Sequence, residues 1–92
     1  MAVVEVRIVF KGNVQGVFLR SHIKKYADSL NIKGMVKNLE NGNVEMLAQG
    51  DEKTVQKLIE IILKKPGFGD IKEVEKKTYI PTKIFEDFQI IR

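Results

Sequence analysis

The chain has 92 residues, 43% of them hydrophobic and 30% charged, a composition typical of a folded globular protein and a length that suits one domain over residues 1–92. It contains no cysteine and one histidine, His22, so disulfides, thiolate nucleophiles, and cysteine-ligated or multi-histidine metal sites are excluded. No apolar run reaches the roughly 18 residues of a membrane span, and Met1–Lys11 lacks the pattern of a signal peptide. We therefore expect a cytoplasmic protein that has no membrane contact.

The positive charge of the chain is concentrated in one segment. The formal net charge is +4, but between Val9 and Asn38 six basic residues stand against Asp28 alone. That segment carries six minus one, or +5, which leaves −1 for the rest of the chain. A local positive field predicts an anionic partner, either a small phosphorylated ligand or a nucleic acid. A lysine-rich face that contacts only solvent explains the charge equally well, so composition alone does not decide.

The first elements in chain order are a strand, a loop and a helix. Apolar and polar residues alternate over the strand, and its apolar positions are Val4, Val6, Ile8 and Phe10. The segment Gly12–Gly16 then breaks the pattern and predicts a loop. Helical spacing returns after it and predicts an amphipathic helix that ends before Gly34, with one apolar stripe formed by Leu19, Ile23, Tyr26, Ala27 and Leu30.

A hairpin, a second helix and two further strands complete the chain. The hairpin joins strands 34–38 and 43–49 at Asn41-Gly42, because both residues tolerate positive φ. Asp51 is the predicted N-cap of the second helix, Glu52 suits its first turn, and Pro66-Gly67 stops it after Lys64 and Lys65. Its predicted buried stripe is Val55, Leu58, Ile59 and Ile62. The last two strands are predicted over 71–80, with poor alternation, and 85–91.

This order of elements predicts an α+β fold, a ferredoxin-like βαββαβ sandwich with two helices packed on one face of an antiparallel sheet and an extra C-terminal strand. In that topology strands one and two lie on either side of strand three, about 10 Å apart. The loop after strand one, the start of the first helix and the end of strand two then share one edge of the sheet. The topology therefore brings Arg20 and Asn38 toward one site.

Arg20 is an unusual residue for its position. The chain has three arginines among its sixteen basic residues, and this one lies in the first turn of a predicted helix. The helix dipole makes a cation unfavourable there by about 0.3–1 kcal/mol. A bound anion reverses that sign, since the guanidinium, the free N–H groups and the dipole all attract it. The alternative is an arginine whose stem packs on the surface while its head reaches water.

The loop before Arg20 contains two glycines that could form a phosphate-binding nest. Gly12 and Gly16 allow successive N–H groups to converge on an anion, but two glycines four residues apart also occur in ordinary loops. No Gly-Lys-Ser/Thr follows, so the loop is not a nucleotide-binding P-loop. Gln15 either orients this loop or is exposed, and the sequence leaves both possibilities open.

Three further polar residues are candidates for a site. Asn38 is either a turn residue held by an Asx hydrogen bond or a neutral amide that holds a water molecule. Ser21 and His22 have the side chains of a nucleophile and its base, but neighbours on a helix point about 100° apart and do not face each other. We therefore interpret His22 as a helix-surface residue.

Two segments of the chain resemble the acylphosphatase family. One runs Gly12-Asn13-Val14-Gln15-Gly16-Val17-Phe18-Leu19-Arg20, and the other runs Lys37-Asn38-Leu39-Glu40-Asn41-Gly42-Asn43-Val44. The family pattern is a Gly-x-Val-Gln-Gly-Val loop that closes on an arginine, followed by Lys-Asn before a two-residue Asn/Asp-Gly-type turn. The resemblance covers essentially the whole chain, including the order of its elements.

The resemblance implies hydrolysis of the carboxyl–phosphate anhydride of an acyl phosphate to a carboxylate and inorganic phosphate, without a metal or cofactor. Arg20 matches the family's phosphate-binding arginine, and Asn38 matches its water-positioning asparagine. The phosphate-binding loop that it implies consists of Gln15, Gly16, Val17, Phe18 and Leu19. The expected ligands are a small-molecule acyl phosphate and inorganic phosphate, with no nucleic acid, and the expected state is a monomer.

Two alternatives to a hydrolase follow from the same residues. Phe18-Leu19 departs from the family's usual smaller residue and then aromatic, which leaves a catalytically weak or silent anion-binding domain as one alternative. The other is a nucleic-acid-binding module, which requires aromatic side chains on a central strand. The strand 43–49 has none, and we expect its Glu45 to repel a phosphate backbone.

Overall fold

The computed structural model describes residues 3–16, 19–64 and 70–91. Its elements are β1 (Val4–Asn13), α1 (Leu19–Ser29), β2 (Lys33–Asn38), β3 (Val44–Gly50), α2 (Glu52–Leu63), β4 (Asp70–Tyr79) and β5 (Phe88–Ile91). The strands form one sheet in the order β4-β1-β3-β2-β5. β1 pairs antiparallel with β3 and β4, β2 pairs antiparallel with β3, and β5 lies parallel to β2. The predicted ferredoxin-like fold with an extra strand is confirmed, and the extra strand makes the sheet mixed.

One hydrophobic core lies between the sheet and the two helices. The alternation of β1 directs Val6, Ile8 and Phe10 into it, as predicted. The helices contribute the predicted stripes, which are Leu19, Ile23 and Ala27 from α1 and Val55, Leu58, Ile59 and Ile62 from α2. Tyr26 and Leu30 pack against the same core while partly exposed. Each large apolar side chain buried in this way contributes about 1.5–3 kcal/mol, so these stripes hold both helices on one face of the sheet.

The first helix, α1, ends at Ser29, five residues before the predicted limit at Gly34. Asn31, whose backbone is left-handed, caps it. Asn31 has φ 57°, and its N–H donates to the carbonyl of Asp28 at 3.2 Å. The N–H of Ile32 donates to the carbonyl of Ala27 at 2.9 Å. These two bonds form a Schellman motif, in which asparagine takes the place that glycine usually occupies.

The second helix begins at the predicted cap. Asp51 is extended (φ −61°, ψ 137°), and its carboxylate accepts a hydrogen bond from the backbone N–H of Thr54 at 3.3 Å. Glu52 lies in the first turn and Lys64 is the C-cap. The predicted stop at Pro66-Gly67 and the contribution of Lys65 lie outside the described residues. In the described part of the chain, neither helix is long and apolar enough to cross a bilayer.

The last strand is shorter than predicted, since β5 begins at Phe88 and not at Phe85. The segment 85–87, directly before β5, is held by two isolated hydrogen bonds and not by a ladder of strand pairing. The backbone N–H of Phe85 donates to the side-chain carbonyl of Gln49 at 2.9 Å, and the N–H of Gly34 donates to the carbonyl of Asp87 at 2.9 Å. The buried amide of Gln49 thus fixes the crossing segment before pairing with β2 starts.

The register of the central strands places two loops at one edge of the sheet. Val44 at the start of β3 pairs with Phe10 of β1 on one side and with Asn38 of β2 on the other. The carboxyl ends of β1 and β2 therefore lie two strand spacings apart, about 10 Å. This arrangement confirms that the loop after β1 and the end of β2 share an edge, where α1 also begins.

Candidate active site

A cavity of about 280 Å³ opens at this edge of the sheet. Its lining residues are Val14, Gly16, Leu19, Arg20, Ser21, Asn38 and Ile90. The structure therefore brings together five of the residues that the sequence singled out, which are Gly16, Leu19, Arg20, Ser21 and Asn38. Val17 and Phe18, also assigned to the phosphate-binding loop, lie outside the described residues.

Two lining residues were not identified from the sequence as site residues. One is Val14, which is buried within the loop, and the other is Ile90. Ser21, which the sequence offered only as half of a dyad, lines the cavity directly after Arg20 on α1. Ile90 pairs with Val36 and reaches the cavity only because β5 lies parallel to β2. The position of Ile90 in the last strand signals a core-facing residue, but no local pattern places that strand beside β2.

The electrostatics of the cavity favour an anion. The first turn of α1 contains no acidic residue, and Arg20 lies in that turn, half-buried. Among the described residues no carboxylate lies within ion-pair distance of Arg20, whereas Arg7 on the other face of the sheet pairs with Glu45. Arg20 and the positive end of the helix dipole thus meet at the cavity, where the described residues supply no counter-ion to the guanidinium. Such a place is suited to a phosphate.

Asn38 faces the cavity from the end of β2. Its side chain makes no hydrogen bond with another described residue. The Asx hydrogen bond of this hairpin belongs to Asn41, whose Oδ1 accepts from the N–H of Asn43 at 3.1 Å. The loop is also longer than a two-residue Asn-Gly turn, since the N–H of Leu39 donates to the carbonyl of Asn43 at 2.8 Å and leaves three residues, 40–42, between them. The amide of Asn38 is therefore available to a ligand or a water molecule.

Gln15 directs its side chain away from the cavity and onto the β2–β3 hairpin. Its Nε2 donates to the carbonyl of Leu39 at 2.8 Å and to the carbonyl of Asn43 at 2.9 Å. Of the two possibilities that the sequence left open, an exposed side chain is wrong, because Gln15 is half-buried and bonded.

The two glycines of the predicted nest have different structural roles. Gly12 belongs to β1, where the register with β4 shifts between Lys11 and Gly12. A Cβ on Gly12, which has φ 125°, would lie 2.2 Å from the carbonyl oxygen of Asp70. Gly16 lines the cavity with φ 75°, and apart from Gly16 and its two chain neighbours no described residue has an atom within 4 Å of the position of its Cβ. Gly12 therefore allows β4 to approach, and only Gly16 belongs to the cavity.

Alanine substitutions should separate these roles. We expect Gly16→Ala to lower the free energy of unfolding by about 1–3 kcal/mol, the usual cost of an unfavourable backbone conformation in a residue with a side chain. Gly12→Ala should cost more, because the overlap with the Asp70 carbonyl adds to the same conformational cost. Urea unfolding of both variants measures the difference, and equal losses would contradict these roles.

Among the described residues, neither a Ser–His pair nor a cluster of metal-binding side chains lines this cavity. Ser21 lines it, but the half-buried His22 does not. Within residues 3–16, 19–64 and 70–91, no group of three His, Cys, Asp or Glu side chains is close enough together to hold a metal ion. The described donors of the cavity are therefore a guanidinium, an amide, a hydroxyl and backbone N–H groups.

The face of the sheet opposite the helices has much of its positive charge neutralised internally. Glu45 is buried there between Arg7 and Lys37, so it pairs with cations instead of repelling a partner. Lys11 lies 2.6 Å from Glu75, and this hydrogen bond raises the pKa of Lys11 and lowers the pKa of Glu75. The central strands β1 and β3, which the structure describes throughout, present no aromatic side chain on this face. Neither observation favours a nucleic-acid-binding sheet.

Comparison with known proteins gives a consistent result. The family model named Acylphosphatase matches residues 6–90. An acylphosphatase of Thermoplasma volcanium is 38% identical over 87 residues, which cover 94% of each chain. One from Caldivirga maquilingensis is 36% identical over 88 residues, which cover 95% of this chain and 93% of the relative. The crystal structure of acylphosphatase from Bacillus subtilis superposes with a TM-score of 0.91 at 29% identity and covers 97% of this chain and 99% of that one. With this match over nearly all of its length, the chain belongs to the acylphosphatase family.

Proposed function

We propose that this protein hydrolyses the carboxyl–phosphate bond of acyl phosphates, with Arg20 and the loop before it binding the phosphoryl group and Asn38 positioning the attacking water. The observation that carries the proposal is the shared cavity. In it an arginine without a described counter-ion, at the start of α1, meets an amide from the end of β2 that bonds to no other described residue. In this proposal the backbone N–H groups of Gln15, Gly16, Val17, Phe18 and Leu19 form the phosphate cradle.

The chemistry of the substrate suits this set of donors. Water attacks phosphorus, the bond between phosphorus and the acyl oxygen breaks, and that oxygen leaves as part of a carboxylate. A non-bridging oxygen of the phosphoryl group takes the proton of the water, so an acyl phosphate dianion and water give a carboxylate and dihydrogen phosphate. A carboxylate is a good leaving group and needs no acid. The protein therefore has to position the water and neutralise the equatorial oxygens, which is the main task in phosphoryl transfer.

Charge neutralisation in this proposal comes from the protein itself. Arg20 and the N–H groups at the start of α1 supply the positive charge that many phosphoryl-transfer sites take from magnesium. The proposal therefore includes independence from metal ions and cofactors. It also includes a monomer that acts as one domain in the cytoplasm on small-molecule acyl phosphates, with inorganic phosphate as product and without a nucleic-acid partner.

Release of phosphate from acetyl phosphate or benzoyl phosphate tests the activity directly. We expect the rate to be unchanged by EDTA, and we expect a simple phosphate monoester to be a poor substrate because its alkoxide leaving group needs an acid. Loss of activity in EDTA that magnesium restores would contradict the proposal. Phosphate binding without any turnover would instead support the silent anion-binding alternative.

A further inference from the structure

Gln15 connects the two elements that the proposed mechanism has to align. Its terminal amide nitrogen has two hydrogens, and both are used, one on the carbonyl of Leu39 and one on the carbonyl of Asn43. These two carbonyls stand at the base of the β2–β3 turn, where the N–H of Leu39 also donates to the carbonyl of Asn43 at 2.8 Å. The side chain thus closes a hydrogen-bonded ring at the point where β2 ends.

Asn38 is the residue directly before that ring. It is exposed, and its amide has no hydrogen bond with another described residue, so its own side chain does not fix its place in the cavity. The backbone that carries it is held on one side by β3 and, one residue later, by Gln15. Gln15 itself directly precedes Gly16, which lines the cavity. One residue therefore joins the loop that leads to Arg20 with the strand end that carries Asn38.

We propose that Gln15 is a positioning residue, which fixes the separation between the phosphate-binding loop and Asn38 and acts on the reaction through Asn38. This inference rests on the proposed function. Phosphate held by the loop and water held by Asn38 must meet in line, and a displacement of about 1 Å in such a geometry costs about 100-fold in rate. The loop after β1 and the end of β2 lie on either side of β3, so strand pairing fixes the distance between them only approximately. The two hydrogen bonds of Gln15 connect them directly and fix that distance more closely.

The distinguishing test is a double-mutant cycle of Gln15→Met with Asn38→Ala. Methionine keeps the length of the side chain and removes both donors. We expect Gln15→Met to lower kcat for benzoyl phosphate about 10- to 100-fold, and to change the inhibition constant of inorganic phosphate less than about threefold, since the cradle and Arg20 remain. In the Asn38→Ala background the same substitution should change kcat less than about twofold, because the residue through which Gln15 acts is already absent.

A matched control keeps the outcome interpretable. Gln56 lies exposed on α2, away from the cavity, and Gln56→Met should leave kcat and phosphate inhibition unchanged. Should Gln15→Met not fold, Gln15→Asn replaces it, because this shorter amide stays neutral and polar but is one methylene too short to reach both carbonyls.

Two results would overturn the inference, and neither resembles a failure of the proposed function. An equal fall in kcat in both backgrounds would show that Gln15 acts on the reaction independently of Asn38. No fall in kcat per folded molecule, together with a lower melting temperature, would show that Gln15 only stabilises the loop. Failure of the proposed function has different signatures. Wild-type protein that releases no phosphate from benzoyl phosphate would contradict the activity, and full turnover of Asn38→Ala alone would contradict the role of Asn38.

Discussion

Arg20→Ala is expected to reduce kcat/KM for an acyl phosphate by about 1,000-fold or more, because an arginine that neutralises a transferring phosphoryl group has an effect of that size. In the structure its guanidinium lies in the first turn of α1, and no described carboxylate is paired with it. Removing it leaves the helix dipole and the loop N–H groups alone to bind the phosphoryl oxygens. Steady-state hydrolysis of benzoyl phosphate measures the loss.

Arg20→Lys should restore little of that activity. A lysine keeps the charge but cannot present two parallel N–H groups to two oxygens from a planar fork. The matched control is Arg7→Lys, since Arg7 pairs with Glu45 on the opposite face of the sheet and should tolerate the exchange without loss of kcat. Near-full activity of Arg20→Lys would contradict bidentate binding of the phosphoryl group.

Inorganic phosphate gives a second measurement of the same role. A ligand at 100 times its dissociation constant stabilises the folded state by about 2.7 kcal/mol, so phosphate should raise the melting temperature of the wild type. It should not raise the melting temperature of Arg20→Ala. A phosphate-dependent shift that survives in this variant would show that phosphate binds elsewhere.

The part of the site that could be predicted from sequence is the part that depends on topology. Periodic apolar patterns identify strands and helices, and the order strand-helix-strand-strand-helix-strand leaves few ways to pair the strands. That pairing places Arg20 and Asn38 at the same edge of the sheet. The structure confirms this placement, because Phe10 and Asn38 both pair with Val44 and because Arg20 and Asn38 line one cavity. Relations of this kind depend on many residues together, so single misjudged residues do not disturb them.

The details that could not be predicted depend on which elements are neighbours in space, since these neighbours are distant in sequence. The sequence suggested that Gly12 is part of a phosphate nest, but a glycine is required there because β4 passes close to it. No local sequence pattern indicates that β4 is the neighbour. Ile90 becomes a wall of the cavity only because β5 adds beside β2. The sequence left open whether Gln15 orients the loop or is exposed. The answer depends on its hydrogen bonds to the carbonyls of Leu39 and Asn43, which are 24 and 28 residues away along the chain. Close approaches and side-chain partners of this kind exist only in the assembled fold.

Asn38→Ala should lose turnover while it keeps its affinity for inorganic phosphate. If the amide orients the attacking water, its hydrogen bond matters chiefly in the transition state, and its loss costs about 100-fold or more in kcat. Phosphate binding should change little because Arg20 and the loop are intact. The fold should also be retained, since Asn38 is exposed at the end of β2 and bonds to no other described side chain.

Asn41 provides the control that separates catalysis from hairpin stability. Its side chain accepts the N–H of Asn43 within the same turn, so Asn41→Ala should lower the free energy of unfolding by about 0.5–1.5 kcal/mol and leave kcat per folded molecule unchanged. Asn38→Ala should show the reverse pattern, a normal melting temperature with slow single-turnover hydrolysis. If Asn38 only shaped the hairpin, the two variants would behave alike. A stable Asn38→Ala protein that binds phosphate and hydrolyses benzoyl phosphate at the wild-type rate would refute the assignment of Asn38, since it would place the attacking water under the control of another group.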